Sequence, residues 1–170
     1  MPGSVRTMQM LSAGVGLIGF IFMLVAICTN YWLTGSASVH SGLWRVCTSN
    51  LCDNLRIGSD RKYENYEMVR GFGVLAVCIS FLAIVLSFIS FIASVCNSRR
   101  FKIGPSVFAT LYLLAALFGL TCIGLFTSIV NSKNSDMGRA WGYSFILGWV
   151  AFPLMLFSGV IMTYAELKMN

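Results

Sequence analysis

The sequence predicts an all-α membrane protein: one bundle of four transmembrane helices carrying a stapled loop on its outer side. Three observations predict it. The chain of 170 residues is 57% hydrophobic and only 11% charged, against about 25% charged residues in an ordinary soluble domain. Four apolar runs contain no Asp, Glu, Lys, Arg or His. Between the first two runs sits a loop with Trp32, Gly42, Leu43 and Trp44, closed by the near pair Cys47 and Cys52.

The four runs are Met8 to Thr29, Gly71 to Cys96, Pro105 to Val130 and Tyr143 to Tyr164. A helix rises 1.5 Å per residue, and a hydrocarbon core is about 30 Å thick, so roughly 20 apolar residues span it. All four runs reach that length. A single run of this kind could be a buried helix of a soluble protein. Four of them in 170 residues leave no chain for a soluble shell. The first run is longer than a signal-peptide core and is expected to act as an uncleaved anchor. The whole chain, 1–170, therefore reads as one four-span domain.

Orientation follows from the connections. The turn from Asn97 to Gly104 holds Arg99, Arg100 and Lys102 and no acid. Short loops rich in Lys and Arg stay in the cytoplasm. Both termini are then cytoplasmic, and the connections 30–70 and 131–142 lie outside. The net charge of +6 fits this reading, because the cations flank spans and form no stripe that would bind nucleic acid. Tyr31, Trp32, Trp141 and Tyr143 mark the outer interface, where rings with a polar edge settle. Arg70 stands just before the second span, with its head at the interface.

Inside the spans, Ser12/Gly16, Ser90/Ser94, Ala115/Gly119 and Ser144/Gly148 place small residues four apart on one helix face. That spacing lets helices approach closely within a bundle. Pro153 lacks the amide proton its helix would use, and a kink is expected there. Pro105 stands where a helix can begin without loss.

The first outer loop changes along its length. From Gly42 to Cys47 the alternation fits a strand, with Leu43, Arg45 and Cys47 on one face and Gly42, Trp44 and Val46 on the other. Thr48, Ser49 and Asn50 favour a turn, so a hairpin is expected near Cys47 and Cys52. Beyond Asp53 the loop is polar, and its end is expected to turn helical before the second span. On an oxidising outer face Cys47 and Cys52 are expected to form a disulfide. Two free thiols are one alternative. Half a metal site is another, though His40 is the chain's single histidine and no second cysteine pair accompanies it. Cys28, Cys78, Cys96 and Cys122 lie in or beside spans and read as packing residues. Cys96, beside the inner basic turn, is also a candidate for palmitoylation.

No catalytic constellation is present: His40 has no acid or nucleophile partner in the pattern, and no cofactor motif occurs. Uncharged spans argue against ion or proton transport through the bundle. No Asn-x-Ser/Thr sequence invites glycosylation.

Together, the four spans, Trp32, the Gly42-Leu43-Trp44 run, Cys47, Cys52 and Arg70 resemble the claudin and peripheral-myelin-protein superfamily over nearly the whole chain. The short cysteine spacing, the stretch from His40 to Arg45 and that from Tyr143 to Ala151 are most similar to the lens fibre membrane intrinsic protein and epithelial membrane protein branch. The resemblance implies a left-handed four-helix bundle crowned by a small extracellular β-sheet, with Trp32, Trp44 and Arg70 anchoring the sheet to the rim. It also implies a structural or adhesive protein of the plasma membrane or of cell junctions. Such a protein works without a cofactor, through lateral self-association within the bilayer. The alternatives implied are a regulatory partner that controls the trafficking or gating of another membrane protein, and a component of a paracellular barrier. The first loop is shorter than in tight-junction claudins and its cysteines are closer. The orientation has a direct check: a tag fused after Asn170 should become reachable by antibody only once the cell is permeabilised, and staining of intact cells would reverse it.

Overall fold

In the computed structural model, residues 3–35, 39–48, 51–54, 61–95, 104–132 and 140–168 are described. Four helices dominate: α1 (Gly3–Cys28), α2 (Arg61–Val95), α3 (Pro105–Ser132) and α4 (Tyr143–Leu167). Each is long and apolar enough to cross a membrane, with candidate spans Arg6–Cys28, Tyr66–Ala93, Ser106–Asn131 and Tyr143–Leu167. Only 28% to 39% of each most apolar window is buried inside the protein. The remainder, including Leu17, Ile21, Phe81, Phe88, Leu117 and Phe157, faces outward. Water would make that surface ruinous; lipid makes it the solvated face.

Five short strands join the helices: β1 (Leu33–Thr34), β2 (His40–Ser41), β3 (Arg45–Thr48), β4 (Leu51–Asn54) and β5 (Ala140–Trp141). They form one antiparallel sheet in the order β4-β3-β2-β1-β5. Two expectations change here. Gly42 to Cys47 is not one strand: the chain reverses between β2 and β3, so that His40 pairs with Cys47 and Ser41 with Val46. The connection between α3 and α4 also contributes a strand, β5, which pairs with β1. The helical end of the first loop is longer than the apolar pattern shows. α2 begins at Arg61 and its candidate span at Tyr66, so Arg70 lies inside the span and not just before it.

Helix α1 packs chiefly on α4, α4 on α3, and α3 on α2, while the seam between α1 and α2 is much thinner. The core runs along the other three seams. Near the sheet it holds Trp32, Leu43, Val69, Phe126 and Phe145; at the far end it holds Phe108, Tyr112 and Met162. α4 is continuous through Pro153.

Lipid chains are as apolar as Leu, so water exclusion does not drive spanning helices together; close packing and hydrogen bonds do. Both are visible. Ser12 Oγ lies 2.8 Å from the Ser158 carbonyl, and Ser158 Oγ lies 2.7 Å from the Ser12 carbonyl, tying α1 to α4. Along the helices, the hydroxyls of Ser80, Thr121 and Thr163 donate to carbonyls one turn back, at 2.7 to 2.9 Å. That is how a hydroxyl is satisfied where no water reaches. Gly16 shows the close approach: a Cβ there would sit 2.5 Å from Cε1 of the buried Tyr112. The Tyr112 hydroxyl lies toward Ser87 and Ser158 but meets neither at hydrogen-bonding geometry.

The cysteines divide in a way their spacing does not show. Cys122 is buried, whereas Cys28 and Cys78 stand on the outer surface of the bundle and do not pack its core. Cys96 and the basic turn with Arg99, Arg100 and Lys102 fall outside the described residues. The Gly16 contact yields a test. Gly16→Val forces the Tyr112 ring out of its seat, and overpacking of this kind costs about 1–3 kcal/mol. Thermal unfolding in detergent should show a lower midpoint than wild type; an unchanged midpoint would mean that the ring moves without cost.

Candidate functional site

The site is built on the last turn of α1. The last four carbonyls of any helix have no partner within it. Here they fall where the chain leaves its most apolar surroundings, and each bare carbonyl would carry a desolvation penalty. The sequence supplies donors from the loop. The Val25 carbonyl accepts from the Thr29 amide at 3.0 Å and the Thr29 hydroxyl at 2.6 Å. The Ala26 carbonyl accepts from Trp32 Nε1 at 2.7 Å, and the Ile27 carbonyl from Trp44 Nε1 at 2.9 Å. Two of the orphan carbonyls are thus closed by indoles from two different parts of the loop.

Trp32 is fully buried, with its ring 4.7 Å from that of Phe126 and 6.0 Å from that of Phe145, both edge-on. It therefore joins α1 to α3 and α4 while it caps α1. Trp44 arrives differently. The Gly42 amide donates to the Arg45 carbonyl at 2.9 Å, which leaves Leu43 and Trp44 as the two-residue tip of the β2–β3 hairpin. Leu43 is fully buried, and the tip points into the end of the bundle. Gly42 is required by space: a Cβ would sit 2.5 Å from Cα of Asn30.

Arg70 completes the junction from α2. Its Nε donates to the Leu43 carbonyl at 2.7 Å, and its guanidinium lies 5.1 Å from the centre of the Trp44 ring. The first contact satisfies a hairpin-tip carbonyl; the second is a cation–π contact that holds the indole flat. Lys could offer the charge but not the planar fork.

The fourth helix is fastened through β5. Leu33 pairs with Trp141 and Thr34 with Ala140. The Gly142 amide donates to the Trp32 carbonyl at 3.0 Å, and the Ser144 amide to the Tyr31 carbonyl at 3.2 Å. The hydroxyls of Thr29 and Ser144 lie 2.6 Å apart. Gly142 leaves no room for a side chain, because a Cβ would fall on the Tyr31 carbonyl oxygen. The Trp141 ring stacks on Phe145 at 4.2 Å.

On the outer side of the sheet, β3 and β4 are joined by the Cys47–Cys52 disulfide, S–S 2.05 Å, across directly paired residues. Cys47 is buried, whereas all four residues of β4 are exposed, with Leu51 at 72%. Arg45 Nε donates to Asn54 Oδ1 at 3.1 Å. His40 stacks on Tyr31 at 4.2 Å, and Tyr31 on Tyr143 at 5.0 Å. No group of acids, histidines or cysteines that could hold a metal occurs among the described residues.

The structure thus gathers Trp32, Gly42, Leu43, Trp44 and Arg70 at one junction and sets Cys47 and Cys52 at its outer margin. Sequence reasoning missed Thr29, Asn30, Gly142 and Ser144. Ser144 carried a signal as a small residue on the α4 face, and Gly142 had only its place before a span.

The sequence profile of the PMP-22/EMP/MP20/Claudin family matches residues 6–162. The chain belongs to this family. The lens fiber membrane intrinsic protein of Rattus norvegicus is 31% identical over 151 residues, 84% of this chain and 82% of its own. Protein NKG7 of Mus musculus is 28% identical over 152 residues, 86% of this chain and 84% of its own. Claudin domain-containing protein 2 of Homo sapiens is 24% identical over 168 residues, 99% of this chain and 92% of its own. Membership, with four membrane-crossing helices, makes the chain a multi-pass membrane protein and supports a structural role in the membrane.

The two indole caps separate in a measurable way. Trp32→Phe keeps the ring but leaves the Ala26 carbonyl buried and bare, a loss of about 1–3 kcal/mol. Trp44 is 39% exposed, so after Trp44→Phe water can reach the Ile27 carbonyl and the loss is smaller. Circular-dichroism melting in detergent should rank them in that order, and equal shifts would contradict the burial argument.

Proposed function

We propose that this protein organises contacts of the plasma membrane, between neighbouring copies in one membrane and between cells at junctions. Both termini are cytoplasmic in this reading, and the sheet stands outside the cell. The observation that carries it is the way the sheet is mounted. Trp32, Trp44, Arg70 and β5 fix it to the ends of the helices, so it is presented as a rigid head and not as a mobile loop. Its outermost strand β4 is exposed along its whole length, and it includes the large apolar side chain of Leu51. An exposed strand edge is a template for pairing unless a partner covers it.

The protein acts without catalysis in this reading. Its work is to hold a surface at a fixed height above the bilayer, and the disulfide keeps the β3–β4 hairpin in register under load. Ring closure over four residues removes little chain entropy, so the bond sets local shape more than global stability.

Cells that lack their own adhesion should aggregate when they express the protein, and freeze-fracture should show clustered particles. Leu51→Asp should leave surface delivery intact and reduce both. Dispersed particles and no aggregation at normal surface levels would sink the proposal.

A further inference from the structure

Each of the four helices puts one hydroxyl into the core at the end of the bundle away from the sheet. Ser12 comes from α1, Ser87 from α2, Tyr112 from α3 and Ser158 from α4, and all four are buried. Ser12 and Ser158 meet through three short contacts. Ser12 Oγ lies 2.8 Å from the Ser158 carbonyl, Ser158 Oγ lies 2.7 Å from the Ser12 carbonyl, and the two Oγ atoms lie 2.9 Å apart. A serine hydroxyl carries one proton, so the pair has two protons for three contacts. Once both protons are on the carbonyls, each Oγ can only accept. The Tyr112 ring reaches this pair across the core, seated against Gly16, one turn beyond Ser12. Its hydroxyl lies toward both Ser158 and Ser87. The hydroxyls of Tyr112 and Ser87 have no hydrogen-bond partner among the described residues, and buried hydroxyls ordinarily have one. Ser80, two turns earlier in α2, donates back to the Ala76 carbonyl. Ser87 makes no such bond to its own helix, which leaves its proton for a neighbour.

We propose that Tyr112 is the hub of a directed hydrogen-bond chain that latches the four helices together: Ser87 donates to Tyr112 Oη, Tyr112 donates to Ser158 Oγ, and Ser158 donates to the Ser12 carbonyl. The proton count fixes the direction. The proton of Ser158 is held by the Ser12 carbonyl, so Ser158 meets Tyr112 as an acceptor. Tyr112 spends its single proton there and meets Ser87 as an acceptor in turn. The reverse direction would take the Ser158 proton from its carbonyl and leave the Ser87 proton with no acceptor. In the chosen direction every buried hydroxyl of the cluster is used, in a place where a bare one has no water to turn to. Hydrogen bonds linked in this way also polarise and strengthen one another. The chain gives α2 a second route to α1. The direct seam between these helices is thin, and Trp44 and Arg70 bridge them only near the sheet. The latch joins them at the other end through the core, by way of α3 and α4.

The test is infrared spectroscopy of the full chain in detergent, with isotope-labelled tyrosine rings. The phenol C–O stretch differs in frequency between a hydroxyl that donates, one that accepts and one that does both. Subtracting the spectrum of Tyr112→Phe isolates the Tyr112 band, which should be that of a hydroxyl doing both. Ser87→Ala should move the band to the donor-only position, and Ser158→Ala should move it to the acceptor-only position. A packing role for these serines would not produce two opposite shifts. Thermal melting gives a second reading and shows which variants are folded. Tyr112→Phe and Ser87→Ala should each lower the midpoint. The double variant should fall by less than the sum of the two shifts, because either change already breaks the same link. Should a serine variant not fold, the wild-type band decides: a Tyr112 hydroxyl that both donates and accepts supports the latch. Any other wild-type band overturns it, as does a band that fails to move in either folded serine variant, or additive melting shifts.

Discussion

The carbonyls that end α1 constrain everything built at that end of the molecule. A spanning helix must stop, and its last turn leaves acceptors that neither lipid nor the helix can satisfy. A soluble protein would leave them to water or place a basic residue nearby; the last turn of α1 has no basic residue. Instead the loop folds back and donates two indole N–H groups. An indole serves well here because it is a donor only and carries a large apolar body. Trp32 can therefore close a carbonyl and fill the core in one placement. Once both indoles are fixed, little choice remains for the backbone between them. β1 must leave beside Trp32, and the β2–β3 hairpin must present its tip to α1. Gly42 must be bare because the hairpin crosses Asn30.

The same junction compensates for a weakness in the bundle. α1 and α2 share the thinnest seam, and no hydrophobic effect between lipid-solvated helices would close it. The hairpin tip does so indirectly: Trp44 holds α1, Arg70 holds the tip, and Arg70 belongs to α2. The sheet is thus a clamp as well as a display surface. Its second contribution, through β5 and Ser144, locks α1 to α4, where Ser12 and Ser158 meet again much farther down. α1 is hydrogen-bonded to α4 at Ser144 and again at Ser12, whereas toward α2 the clamp at the top is followed by the Phe20–Phe81 ring contact in mid-span.

Much of this was legible in the sequence, and the exceptions have physical causes. The four spans could be read because the bilayer imposes a length and a composition on each helix separately, with no tertiary information needed. The set of junction residues could be picked out because Trp, Gly and Arg are conspicuous in a loop of small polar residues. Their geometry could not. Alternation from Gly42 to Cys47 suits a strand, yet the chain turns at Leu43 and Trp44, because burying Leu43 and capping Ile27 outweigh a local preference. β5 is two residues long and has no periodicity to detect; it exists because β1 offers it an edge. Gly142 looks ordinary until the Tyr31 carbonyl is seen in the place its Cβ would take. Burial of Cys122 against exposure of Cys28 and Cys78 depends on helix rotation, which a uniformly apolar run does not encode.

One consequence joins the two ends of the molecule. The clamp near the sheet fixes the spacing and rotation of α1 and α2 there. Farther down, Phe20 of α1 still meets Phe81 of α2 at 5.9 Å, and beyond that contact Gly14 puts no side chain into the space beside it. Packing demands elsewhere do not explain that glycine: Gly16, two residues on, is pressed by Tyr112, whereas Gly14 faces open space. In a close-packed bundle an empty wall forfeits dispersion contacts on both sides. A wall that faces the bilayer regains those contacts from the lipid lying against it.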